Sequence, residues 1–413
     1  MGAEPIVVVG ASLAGLRAAQ AIRSAGEQGE VVVVGAEPHL PYTRPPLSKG
    51  VLQGLEEPES TDLGAGELEV TWRLGVRATA LDPRAHQLRL GEDAALPYRR
   101  ILIATGCSPR PWTGPGADLD GVLTLRSLDD ANSLRERLAD GPRVVTIGAG
   151  FIGCEVAATA RTLGLDVTMV DIAAHPMPAL GPELGAWAAD LHRRHGVALR
   201  LGVGVEAIEG EHAVEAVRLE DGSRIAADLA IVALGATPNI AWLEDSGLAL
   251  GPGVICDATL TSVSDPDVLA AGDACTWPHP LNDGEPLRVE HWNNAVEQGR
   301  LAGRNLLREP AERERHESVP SMWSDQYGLR IQAAGLPHRS ERMHVLERSS
   351  DGERMVAAGE RDGRVQAAVA VAAPRRLLWY RQQIERGATL ADVSAAVRAD
   401  DAALGPAPEV ART

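Results

Sequence analysis

The sequence predicts an α/β protein built from two doubly wound, nucleotide-binding domains and a smaller C-terminal α+β domain. Two observations carry this. A short apolar run, a glycine turn, a helical pattern and a second apolar run occur twice, with Gly10 and Gly148 at equivalent places 138 residues apart. Strand, turn, helix, strand in that order is a right-handed βαβ unit on a buried parallel sheet. After about Glu317 the pattern changes to short strands and one late helix over 375–386.

Taken in order, the first unit has a strand over 6–9, a helix over 13–25 and a second strand over 30–37. A polar stretch over 53–66 and alternating segments such as 86–90 predict a small antiparallel elaboration. The apolar run over 100–106 is a buried strand ending in a turn. The second unit repeats the order over 143–148, 152–163 and 166–171, and the run over 229–235 closes it. A further strand over 267–272 and a helix over about 294–307 follow, and the Ala-, Pro- and Asp-rich end from Asp400 reads as a frayed tail.

Length and composition bound the function. The 413 residues are 45% hydrophobic and 23% charged, enough for two or three domains with cores of their own. No apolar run approaches a membrane span, and the first strand begins so early that no signal peptide is expected, so the reading is cytoplasmic. A net charge of −17 disfavours nucleic acid and anionic membranes. Cys107, Cys154, Cys256 and Cys275 are widely spaced, which predicts neither a disulfide framework nor a metal site.

Gly10-Ala-Ser12-Leu-Ala14-Gly15 is the first phosphate turn. It needs a tight bend with little side chain near a pyrophosphate, leading into a helix whose first N–H groups face the anion. Ser12 replaces the second glycine of the usual pattern. Glu37 ends the second strand, placed to accept from a ribose. Gly148-Ala-Gly150-Phe151-Ile-Gly153-Cys-Glu155 is a complete G-x-G-x-x-G in the required context. Asp171 ends its second strand, where a carboxylate accepts from an adenosine ribose and repels a 2′-phosphate, favouring NAD over NADP. Two dinucleotide sites in one chain suggest FAD in one and NAD(H) in the other.

Further segments follow in order: Leu40-Pro-Tyr-Thr-Arg44-Pro-Pro-Leu-Ser-Lys49, Ala104-Thr105-Gly106, Gly235-Ala-Thr-Pro-Asn239, Leu269-Ala-Ala-Gly-Asp273-Ala, Arg288-Val-Glu-His-Trp292-Asn-Asn-Ala295 and Trp323-Ser-Asp-Gln-Tyr327. With the two turns, this series resembles the FAD-dependent, NADH-using ferredoxin reductases of bacterial oxygenase systems, the putidaredoxin reductase type. The resemblance runs from about Pro5 to Arg386 and implies a Rossmann-like, glutathione-reductase-like plan. FAD would bind to 1–112 and 239–316, NAD to 113–238, with a C-terminal interface domain over 317–400 and a flexible tail over 401–413.

It also implies roles. Asp273 would hold the FAD ribityl or phosphate region, with Thr105 and Gly106 beside it. Arg44, Lys49 and Arg126 would contact FAD, and Gly235 would lie in the NAD site. Trp292 and Trp323 would stand near the isoalloxazine, a reading preferred here over ordinary core packing. Lys49 would pair with Glu155, staying protonated and placing the carboxylate beside the nicotinamide amide. Phe151, the sole Phe, would cover the flavin face or simply pack the turn; both readings stand.

Lys49 also stands out by itself. It is the one lysine among 40 basic residues, so its position calls for a compact ammonium that a planar guanidinium does not replace. A point cation near flavin N5 would stabilise charge that builds up on reduction. The related disulfide reductases carry a redox cysteine after the first βαβ unit, but residues 39–54 hold none, so electrons leave without a sulfur relay. The acceptor expected is a 2Fe–2S ferredoxin that serves an oxygenase. Such ferredoxins are typically acidic, so docking falls to a local basic patch: Arg300, Arg304 and Arg308 at helical spacing, then Arg330, Arg339 and Arg342. The alternatives are another acceptor (rubredoxin, a quinone or oxygen) or a flavin-bearing NADH sensor.

Overall fold

The computed structural model describes residues 4–91, 94–350 and 352–399. By its internal contacts the chain divides into two units, one of residues 1–43, 61–108 and 237–320, the other of 44–60, 109–236 and 321–413. The expected tail over 401–413 lies outside the described residues.

The first unit is organised by a five-stranded parallel sheet. Its order is Val268–Ala270, Arg100–Ile103, Ile6–Val9, Val31–Val34, Thr71–Arg73. The strands Ile6–Val9 and Val31–Val34 are buried at every position, which is why they read as unbroken Ile/Val runs and not as alternation. The helix Leu13–Ser24 crosses between them and lies against the helix Trp292–Asn305. Gly299 and Gly303 let the backbones meet: a Cβ on either would stand 2.4 or 2.5 Å from the carbonyls of Ala14 and Ala18. The segments Ala78–Asp82, Gln87–Leu90 and Ala94–Pro97 form the expected antiparallel sheet. The stretch over 53–66 does not join it. It folds into the 3₁₀ turns Pro58–Thr61 and Ala65–Glu67, because Pro58, Gly64 and Gly66 interrupt any pleat.

The second unit repeats the plan with the order Ala198–Leu201, Val167–Asp171, Val144–Ile147, Leu229–Val232, Val122–Leu123, all parallel. It also holds a five-stranded antiparallel sheet, ordered Ser321–Gln326, Leu329–Gly335, Arg364–Val371, Met355–Arg361, Arg342–Arg348. The helix Pro374–Glu385 follows as expected. A second helix, Leu390–Ala399, was not expected. Its signal is present in Thr389: the hydroxyl bonds the Asp392 carboxylate and accepts from the Asp392 N–H, a start motif just before an apolar turn.

Candidate active site

In the first unit the glycine turn is built as the sequence requires. Gly10 leaves the strand with φ +124 and donates to Val34 O at 2.7 Å, and a Cβ there would collide with Ala104 O. Ser12 is the N-cap of the following helix, in extended conformation, and its side chain caps none of that helix's N–H groups. Ala14 and Gly15 are buried in the first turn. Glu37, past the second strand, accepts from the Tyr42 hydroxyl. The Ala104-Thr105-Gly106 turn is locked onto Asn239: Thr105 Oγ1 donates to Asn239 O at 2.7 Å, Asn239 Nδ2 to Thr105 O at 3.0 Å, and Asn239 N to Gly106 O at 2.9 Å.

Asp273, in the short turn Gly272–Ala274, accepts from the Cys107 thiol at 3.1 Å, a contact that sequence reasoning missed. Gln298 fixes the same turn by accepting the Gly272 N–H at 2.8 Å. Trp292 opens the helix Trp292–Asn305 and donates its Nε1 to Thr43 Oγ1 at 3.3 Å.

The second unit's turn separates two reasons for glycine. Gly148 has φ +105 and no room, since a Cβ would stand 2.4 Å from Ala233 O. Gly150 has φ −71, open to any residue, and a Cβ there would meet no atom within 4 Å. Nothing in the protein itself asks for glycine at 150. The position keeps clear a space in front of the helix Phe151–Thr162, whose first N–H groups have no intrahelical partner, and a pyrophosphate fits that donor set. Phe151 is half-buried at the helix start and Gly153 is buried in its first turn. Asp171 closes the wall: its Oδ2 accepts from Ala149 N at 2.6 Å and its Oδ1 from Ala173 N at 2.7 Å. Those bonds aim the carboxylate and leave lone pairs for a ribose diol. Gly235, with φ +86, offers its carbonyl to Arg110 N.

The same unit joins the two residues expected to do chemistry. Lys49 Nζ stands 2.6 Å from Glu155 Oε2, with the lysine side chain 18% and the glutamate 5% exposed. The ammonium also donates to Pro45 O at 3.0 Å and Ser48 Oγ at 3.2 Å. Ser48 in turn donates to Glu155 Oε2 at 2.5 Å, and Ser324 donates to Oε1 at 2.7 Å. Two serines therefore serve a carboxylate for which only the lysine partner was foreseen. A buried charge is tolerated only when paired and hydrogen-bonded, and here both conditions are met. Arg44 lies close by in sequence and donates Nη1 to Arg126 O at 2.6 Å, while Arg126 N donates to Asp130 Oδ2 at 3.0 Å. Trp323 is half-buried on the strand Ser321–Gln326, on the face opposite Ser324.

The basic residues expected to dock a partner are not one bare stripe. Arg300 is exposed on its helix. The helix ends at Asn305, so Arg308 lies beyond it. Arg304 and Arg308 both pair with Glu314, at 3.2 and 2.5 Å, and Arg330 forms a two-pronged pair with Asp325. The spacing showed a shared face but not the carboxylates that return to it. All four cysteines are buried free thiols, and burial pushes the Cys154 thiol far above its ordinary range, which leaves it an unreactive packing group.

Residues 4–299 match the pyridine nucleotide-disulphide oxidoreductase family, and residues 321–403 match a family described as reductase C-terminal. The ferredoxin reductase component of chlorobenzene dioxygenase from Cupriavidus sp. (strain PS12) is 37% identical, over 96% of this chain and 97% of its own. The ferredoxin--NAD(+) reductase component of the biphenyl dioxygenase system of Paraburkholderia xenovorans (strain LB400) is 35% identical, over 90% and 91%. Among solved structures, the reductase of the covalent putidaredoxin reductase-putidaredoxin complex superposes with a TM-score of 0.89 at 31% identity, over 97% of this chain and 100% of that one.

Proposed function

This chain belongs to the pyridine nucleotide-disulphide oxidoreductase family, in its ferredoxin reductase branch, and from that membership we propose how its own residues carry out the reaction. It is an NADH-dependent FAD oxidoreductase that passes electrons to a 2Fe–2S ferredoxin, which in turn serves an oxygenase. FAD, when bound, supplies the exchange of a two-electron hydride for single electrons.

The protein's part is positioning and electrostatics. Gly10, Ser12, Ala14 and Gly15 receive the FAD pyrophosphate, Glu37 its ribose, and Asp273, with Thr105 and Gly106, the ribityl region. Arg44 and Arg126 would offset phosphate charge, and Trp292 and Trp323 would each lie near the ring. Gly148, Gly150 and Gly153 would receive the NAD pyrophosphate, Asp171 would select the unphosphorylated ribose, and Gly235 would lie in the same site; Phe151 would cover the flavin face or pack the turn. Lys49 would supply the cation that stabilises charge arriving with the hydride, and Glu155, paired with it at 2.6 Å, would hold that cation in place and orient the nicotinamide amide. No general base is required. Arg300, Arg304, Arg308 and Arg330 contribute to ferredoxin docking.

The observation that carries this reading is the 2.6 Å pair between the chain's sole lysine and Glu155, in the helix of the NAD glycine turn. Among the described residues no helix is long and apolar enough to cross a membrane. We place the protein in the cytoplasm, where NADH is replenished. The direct test is NADH-driven cytochrome c reduction with and without a 2Fe–2S ferredoxin. Strong dependence on the ferredoxin supports the reductase. Equal rates without it favour oxygen or a quinone as acceptor.

A further inference from the structure

Lys49 and Ser48 account for one oxygen of Glu155. What reaches the other comes from 169 positions away in sequence: the buried Ser324, donating to Oε1 at 2.7 Å. Ser324 does not stand alone. Gln326, on the same face of the strand, donates Nε2 to Ser324 Oγ at 3.1 Å and to Met177 Sδ at 3.5 Å. With its amide N–H groups so committed, Gln326 presents Oε1 to His192 Nε2 at 3.1 Å. That nitrogen therefore carries the ring proton, and Nδ1 accepts from the Tyr327 hydroxyl at 2.9 Å. Burial pushes His192 down to about 4, so the ring stays neutral near pH 7, as the arrangement requires.

Every donor in the row points one way, from Tyr327 through His192, Gln326 and Ser324 to the carboxylate. Reversing any member would leave a buried polar group unpaired. The far end is anchored as well. Tyr327 takes φ +52, ahead of Gly328 at +76, in the tight turn between two strands of the antiparallel sheet, and its ring stacks on His195 with centroids 3.7 Å apart.

We infer that Ser324, fixed by Gln326 and His192, is a positioning residue for hydride transfer from NADH. It tethers Glu155 Oε1, so that Oε2 is held against Lys49. The inference rests on the roles proposed above for Lys49 and Glu155. It gives the antiparallel sheet a part in the NADH side of the reaction, alongside any part in meeting the ferredoxin. A glutamate has three rotatable bonds, and a catalytic ion pair is only as well aimed as the groups that support it. Glu155 gains that support from a strand that contacts the glycine-turn helix from outside the nucleotide-binding fold.

The test is anaerobic stopped-flow reduction of the FAD-loaded protein by NADH, comparing wild type, Ser324→Ala, Glu155→Ala and the double variant. Ser324→Ala is expected to slow reduction about tenfold, the scale of one lost charge-assisted hydrogen bond, and to add little in the Glu155→Ala background. Gln326→Leu serves as a second probe, slowing reduction in the same direction by a smaller factor and likewise only when Glu155 is present. Equal slowing by Ser324→Ala in both backgrounds would assign Ser324 to folding and overturn the inference. A wild-type rate in Ser324→Ala, with Glu155→Ala slow, would overturn the inference alone. A wild-type rate in Glu155→Ala would remove the reading beneath it.

Discussion

Glu314 stands 2.5 Å from Arg308 and takes Arg304 on its other oxygen at 3.2 Å. One carboxylate thus holds two of the four arginines proposed to meet the ferredoxin. The two guanidinium groups in turn hold the Glu314 carboxyl below its usual range. Exposed pairs of this kind contribute little to stability, but they set how much positive charge the surface presents. Glu314→Gln releases both arginines and should lower the ferredoxin KM about two- to fivefold at low ionic strength, an effect that fades with added salt. Arg304→Glu should raise it. Ferricyanide reduction should stay unchanged in both. A KM indifferent to Glu314→Gln at low salt would place docking elsewhere.

The two glycines of the second turn should respond oppositely. Gly150→Ala meets no atom and needs no unusual backbone, so its melting temperature should stay within about 4 °C of wild type. Its KM for NADH should rise about tenfold, because the methyl enters ground kept for the pyrophosphate. Gly148→Ala strikes the Ala233 carbonyl at positive φ and should lose stability outright. Thermal melts and NADH saturation curves separate the two.

Asp171 is aimed by the Ala149 and Ala173 N–H groups, and in the proposed NAD site its charge would face the adenosine ribose. Asp171→Asn should reduce kcat/KM for NADH about tenfold and narrow the preference over NADPH by a similar factor. An unaltered NADH/NADPH ratio would show that the carboxylate does not discriminate.

Burial pushes both His192 and His316 down to about 4 from an ordinary value of 6.5. The unfolded chain therefore binds more protons than the native one between pH 6.5 and 4. Stability is complete above 6.5 and falls as the pH drops through that window, by roughly 3 kcal/mol per ring at pH 4. Urea midpoints measured from pH 7 to pH 4 should follow that slope, and His192→Asn should flatten it. Identical slopes in wild type and variant would contradict the assignment.

Both βαβ units were legible because a chain that must bend tightly against a neighbouring carbonyl leaves glycine as the only solution, at Gly10 and again at Gly148. Lys49 was legible by contrast, as one lysine in an arginine-rich composition, and Glu155 followed from a resemblance to known reductases. Ser48, Ser324, Gln326 and His192 were not legible. Hydroxyls and amides occur everywhere, and nothing near Ser324 in sequence announces a carboxylate 169 positions back. Helical spacing placed Arg300 and Arg304 on one helix but could not reveal the helix end at Asn305 or the return of Glu314. Nothing in the sequence singles out Cys107 beyond its distance from the other cysteines; its bond to Asp273 arises only because the unit's fold brings the two segments together.

The proposed mechanism depends most on Lys49 as a point cation held by Glu155. The most direct measurement is the anaerobic rate of flavin reduction by NADH in Lys49→Arg, followed by the bleaching of the bound FAD. Arginine keeps the charge but spreads it over a plane that does not fit the ammonium's three contacts. The expected variant remains yellow, with FAD bound, and is reduced at least about tenfold more slowly at saturating NADH. A variant reduced at the wild-type rate would contradict that mechanism.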